Sequence, residues 1–210
     1  FQGVNLFAVI LIAFSISIVV CGARAAIGAR AQFTLARSAW SVFVWMNVTT
    51  AIAWSCYFFG LKSLQPSIVN TLHSAVGPIT VVVLAACGVH FVQKSTTSPI
   101  ERLCYAGLAV AIGLLWWVTL SGRSGLATAD PTTLLVALAL LLVSGISITV
   151  SLLLSKQMND RGIGADVITV GRYPLIVVVA IVALLGSDSP TGITSIAQLA
   201  SIALAAALLI

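Results

Sequence analysis

Pro131–Ser155, PTTLLVALALLLVSGISITVSLLLS, runs for 25 residues without one charged side chain. A helix rises about 1.5 Å per residue and the hydrocarbon core of a bilayer is about 30 Å thick, so about 20 apolar residues suffice to cross it. This stretch is too long for a buried strand and too apolar for a helix with a watered face, and it reads as a membrane span. By the same criterion Gly3–Gly22, Ala39–Leu61, Pro66–Val89, Ile100–Ser121, Ala165–Gly186 and Gly192–Ile210 also qualify. The breaks between them, GARAAIGARAQFTLARS, KSLQP, QKSTTSP, SGRSGLATADP, KQMNDRGIG and SDSPTG, are read as loops. Prolines at 66, 99, 131 and 190 stand at or just before span starts, where a missing N–H costs nothing.

Composition agrees. The chain is 60% hydrophobic and 7% charged, whereas soluble domains carry about 25% charged residues. It begins on Phe1 and stops at Ile210 inside an apolar run, and is read as a piece of a longer polytopic protein. The net charge of +5 comes from scattered residues with no basic run, so no nucleic-acid partner is expected. Arg24, Arg30, Arg37, Lys94, Arg102, Lys156 and Arg161 lie in or beside the first, third and fifth loops, against only Lys62 and Arg123 in the others. That asymmetry places the odd-numbered loops in the cytoplasm and residue 1 outside. The four cysteines have no metal or redox spacing and read as small apolar residues; no cofactor or metal is expected.

Polar residues inside the spans carry whatever chemistry there is. In PSIVNTLHSAVGPITVVV, Ser67, Asn70, Thr71 and Ser74 recur at helical spacing, with His73 on the flank. Pro78 cannot donate to the carbonyl of Ser74. The stripe is read as lining a wetted cavity, with helix–helix hydrogen bonding as the alternative. Asn47, Thr50, Trp54 and Tyr57 share a face of the second span, where aromatic rings beside an amide suit a binding wall. Ser144, Ser147, Ser151 and Ser155 form a small-residue seam, read as packing.

TVGRYPLIVVV, Thr169–Val179, sets Arg172 and Tyr173 about 10 Å into the sixth span. Asp166 is a poor direct partner by spacing. Either the guanidinium snorkels back to the cytoplasmic interface, or it meets backbone carbonyls and an anionic or zwitterionic ligand.

The region from Arg37 to Gly122 resembles the first-repeat core of the drug/metabolite transporter superfamily, EamA type, and the likeness rests on SAWSVFVWMNVTTAIAWSCYFFGLKSLQPSIVNTLHSAVGPITVVVLAACG (Ser38–Gly88). A Trp opens a helix, an aromatic pair precedes a GLKSL turn, and a small/polar helix leads to a Pro beside a Gly. YAGLAVAIGLLWW looks like the glycine-spaced helix closing a family repeat, and VSGISITVSLLLSKQMNDRGIGADVITVGRYPLIVVV like the start of the second. One departure is FVQK (Phe91–Lys94), where the family has an acidic–basic pair. The resemblance implies an all-α, polytopic helix bundle, about seven spans of a ten-helix inverted-repeat transporter lacking its first and last helices. Residues 1–125 would hold first-repeat helices and 126–210 the start of the second.

The expected function is therefore secondary transport or efflux of small metabolites or drugs by alternating access, in a bacterial cytoplasmic membrane. Asn47, Trp54, Tyr57, Asn70, His73, Ser74, Arg172 and Tyr173 are the candidate cavity residues. His73 is the candidate for coupling to protons, and another coupling ion stays open, as does a homo-oligomer. The other readings are a non-transporting membrane subunit or sensor, and an intramembrane enzyme. The spans contain no GxSG, no HExxH and no pair of aspartates, so no catalytic residue is assigned.

Overall fold

The computed structural model of the chain describes residues 5–28, 30–89, 98–121 and 130–186. Every regular element among them is an α-helix: α1 (Leu6–Gly28), α2 (Arg30–Ser38), α3 (Trp40–Ser63), α4 (Pro66–Ala86), α5 (Pro99–Leu120), α6 (Pro131–Asp160), α7 (Ala165–Arg172) and α8 (Pro174–Leu185). With α7 and α8 taken as one broken span, six helices are long and apolar enough to cross a membrane. The described part of the chain is thus all-helical, and the protein is membrane-embedded. The seventh expected span, the FVQK site and the expected division at residue 125 lie outside the described residues.

Three expectations need correction. The first break is not a loop: α1 continues to Gly28, and Arg30–Ser38 forms a short amphipathic helix. Its Ala, Arg, Gln and Leu are strong helix formers with no proline among them, and loop-like charge had masked that propensity. Second, α6 runs on through KQMND to Asp160, 30 residues or about 45 Å, so its last turns extend past a 30 Å core. Third, the sixth span is two helices, broken at Tyr173 before Pro174.

Helix starts follow local chemistry. Ser98 and Glu101 make a reciprocal capping box with Pro99 in the first turn (Glu101 N to Ser98 Oγ 3.2 Å, Ser98 N to Glu101 Oε2 2.8 Å). Asp130 caps α6, accepting from Thr132 N at 2.7 Å and from the Thr133 hydroxyl at 2.5 Å. Those bonds to Thr133 and Thr132 hold its carboxyl below the usual aspartate range.

Two compact units form: the described parts of 1–51 and 154–210, and residues 52–153. In the first, α1 runs antiparallel to α7 and α8, with Arg24 against Asp166 (3.4 Å) and the Phe14 ring 4.6 Å from that of Tyr173. Ala25, Phe43, Met46, Met158, Ile163 and Val167 are buried together in its core. The α2 side chain of Gln32 accepts the Gly164 N–H at 2.8 Å, fixing the entry to α7. In the second unit Ile68, Val69, Leu72, Leu138 and Leu141 form the core, with Ile112 and Trp116 of α5 packed on it. Much of α5 is exposed (Leu103 75%, Trp117 69%), as lipid-facing helices are.

Candidate functional site

The eight candidate residues divide between the units: Asn47, Arg172 and Tyr173 in the first, Trp54, Tyr57, Asn70, His73 and Ser74 in the second.

In the first unit the organising feature is the break between α7 and α8. An unbroken helix would pair Leu175 N–H with Gly171 C=O. Instead the Asn47 amide is inserted between them: its Oδ1 accepts from Leu175 N at 3.1 Å, and its Nδ2 donates to Gly171 O. The same nitrogen donates to Phe43 O at 3.2 Å, so both amide protons are engaged. A side chain inserted into the hydrogen-bond ladder is one of the few causes of a sharp helix kink. The close approach depends on Gly171, where a Cβ would overlap the Phe43 ring. Asn47 thus satisfies backbone groups that Pro174 and the break release.

Arg172 sits at the C-terminal end of α7, beside that junction. Its Nε donates to Thr50 Oγ1 at 3.1 Å, and its guanidinium lies 5.7 Å from the Tyr173 ring centroid. Phe43 and Asn47 show that α3 and α7–α8 advance in the same direction here, and Thr50 is three residues, about 4.5 Å, further along α3 than Asn47. The arginine therefore reaches forward into the span. Snorkelling would require it to turn back toward the start of α7. Its Nη nitrogens make no hydrogen bond among the described residues and are not sealed from the surface. Asp166, the nearest acid in sequence, is paired with Arg24.

The second unit is built differently. Ser67, Asn70, Thr71 and Ser74 form one exposed face of α4. Ser67, Thr71 and Ser74 have no side-chain hydrogen bond among the described residues. Beside them Tyr57 donates its hydroxyl to Asn70 Oδ1 at 3.1 Å and sets its ring 5.0 Å from the His73 ring. The Trp54 ring lies 5.6 Å from Tyr57 and 5.7 Å from Phe58, and Phe58 lies 5.6 Å from Tyr57, giving a continuous ring cluster. His73 Nδ1 lies 3.0 Å from Ser144 Oγ, and Ser144 donates to Ala53 O at 2.7 Å. Gly145 makes this approach of α6 to α4 possible: a Cβ there would come within 2.7 Å of Val76 Cβ and 3.0 Å of the His73 carbonyl.

Sequence reasoning found the α4 face and Arg172. It missed Thr50 as the arginine's partner, the use of Asn47 as a helix splint, and Ser144 as a ligand of His73. Ser144 carried a signal, its place in the serine seam, but the seam as a whole reads as packing. Two open grooves, about 310 Å³ on α4–α6 and about 620 Å³ along α3 and α7–α8, have apolar walls. Neither takes in His73, Asn70 or Arg172. Among the described residues no three His, Cys, Asp or Glu side chains converge as a metal site would require. Comparison with protein-family models, with curated proteins and with solved structures found no match to this chain.

Proposed function

We propose that this chain is the greater part of a secondary transporter for small molecules, of the ten-helix inverted-repeat kind seen in the EamA-type drug/metabolite transporters, working by alternating access in a bacterial cytoplasmic membrane. The observation that carries the reading is the exposed polar face of α4. Four hydrogen-bonding side chains within one apolar span, three of them without a side-chain partner among the described residues, are costly against lipid and stable against water or a ligand. The adjoining ring cluster supplies apolar walls, the composition of a small-molecule site. Arg172 adds a cation, turned into the span, whose terminal nitrogens are available to an anionic or zwitterionic group.

A second reading, a non-transporting membrane scaffold, draws on Asn47 and Ser144, which both bond backbone carbonyls as packing contacts do. One experiment separates the two. A metabolite-export screen with the full natural chain should yield a substrate, and Asn70→Ala with Ser74→Ala should cut its flux in proteoliposomes about tenfold, the effect of one or two lost hydrogen bonds. No exported substrate in the screen would leave the scaffold reading standing, and unchanged flux in the variant would remove the α4 face from the transport site.

A further inference from the structure

The hydrogen bonds around Ser144 determine which nitrogen of His73 carries the proton. A serine hydroxyl has one proton to donate. Here it goes to Ala53 O at 2.7 Å, because a carbonyl oxygen can only accept. The 3.0 Å contact between Ser144 Oγ and His73 Nδ1 must then be made by a proton on Nδ1. In the neutral ring that leaves Nε2 with a bare lone pair. Ser144 is fully buried and its acceptor is helix backbone, so the arrangement is held by the α3–α6 contact.

Nothing nearby satisfies Nε2. It has no partner among the described residues and is not sealed from the surface. The neighbouring phenol does not compete, since Tyr57 donates its proton to Asn70 Oδ1. An accessible acceptor is thus presented on a ring that adjoins Tyr57, itself packed on Trp54 and Phe58.

We propose that Ser144 is a positioning residue that holds His73 in the Nδ1–H form, so that Nε2 receives a hydrogen bond from a ligand carrying an N–H or O–H donor on an aromatic or apolar body. That the ligand is cargo rests on the transport reading; the tautomer does not.

The test is long-range proton–nitrogen NMR on the full chain in lipid nanodiscs. His90→Gln leaves His73 as the one histidine of these 210 residues, and any histidine outside them is replaced likewise. At a pH of about 8.5, two units above the ordinary imidazole value, the spectrum should show a protonated Nδ1 and a bare Nε2. Ser144→Ala should move both nitrogens toward averaged values, Ser144→Thr should restore the original pattern, and Tyr57→Phe should leave it unchanged. Phenol should shift the Nε2 resonance, and anisole, which lacks the O–H, should bind about tenfold more weakly. An Nε2–H resting form, or an Ser144→Ala spectrum identical to the parent, would overturn the positioning role. No response to phenol, or an equal response to anisole, would overturn the ligand class. Loss of the transport reading in a flux assay would leave the tautomer result untouched, so the two failures are distinguishable.

Discussion

The two units use intramembrane polar groups in opposite ways. In the first, Asn47 turns its whole amide to backbone, repairing the Gly171–Leu175 gap, while Arg172 keeps donors to spare. In the second, Ser67, Thr71 and Ser74 of α4 present hydroxyls on an exposed face, and neither these nor one nitrogen of His73 has a partner among the described residues. An asparagine at mid-span is therefore not a sign of ligand chemistry by itself. What matters is whether its hydrogen-bonding capacity is already filled by the chain.

That contrast can be broken by mutation. The largest effect is expected at Arg172. Arg172→Ala should lower transport on the order of 100-fold, the loss of a charge-assisted bond of about 3 kcal/mol, with expression intact. Wild-type flux would make the arginine a structural cation like Arg24. Asn47→Ala should act on stability instead. Stranding Gly171 O and Leu175 N should cost about 2 to 5 kcal/mol, read as a lowered unfolding midpoint in detergent. If flux fell with stability unchanged, Asn47 would belong with the ligand groups and the contrast would fail.

Gly145→Ala sharpens the second unit. The added methyl meets Val76 and the His73 carbonyl, and should destabilise by about 1 to 3 kcal/mol while pulling His73 from Ser144. Retention of the Nδ1–H signal in that variant would show that the helices can yield without disturbing the histidine. The smallest effect is expected at Asp130, outside both polar sites and fully exposed. Its folded pKa is depressed, so its capping contribution is present above the unfolded value of about 3.9 and is lost as pH falls through the folded value. Asp130→Ala should slightly lower the unfolding midpoint near neutral pH and remove that acid-side loss, as followed by circular dichroism.

Much of this was legible from residue type and spacing. Apolar runs of about 20 residues with few charges locate the spans, prolines mark the starts of α4, α5 and α6, and the i, i+3, i+4, i+7 recurrence from Ser67 to Ser74 identifies the exposed face of α4. The rest depends on contacts distant in sequence. Nothing near Asn47 says that its partners lie 124 and 128 residues away, and nothing near Arg172 points to Thr50. The first loop was misread because arginines signal both an interface and a good helix former, and only packing, such as Gln32 on Gly164, shows that both hold at Arg30–Ser38.

On the transport reading the α4 face from Ser67 to Ser74 meets water and not lipid, with Asn70 also held by Tyr57 of α3. Single cysteines along α4, in a background with Cys21, Cys56, Cys87 and Cys104 replaced, can be challenged with a charged, membrane-impermeant thiol reagent in sealed vesicles of either orientation. The expected pattern is modification at 67, 70, 71 and 74 with none at the buried positions 69, 72 and 76. Positions 70, 71 and 74 as unreactive as 69 and 72 from both sides would contradict it.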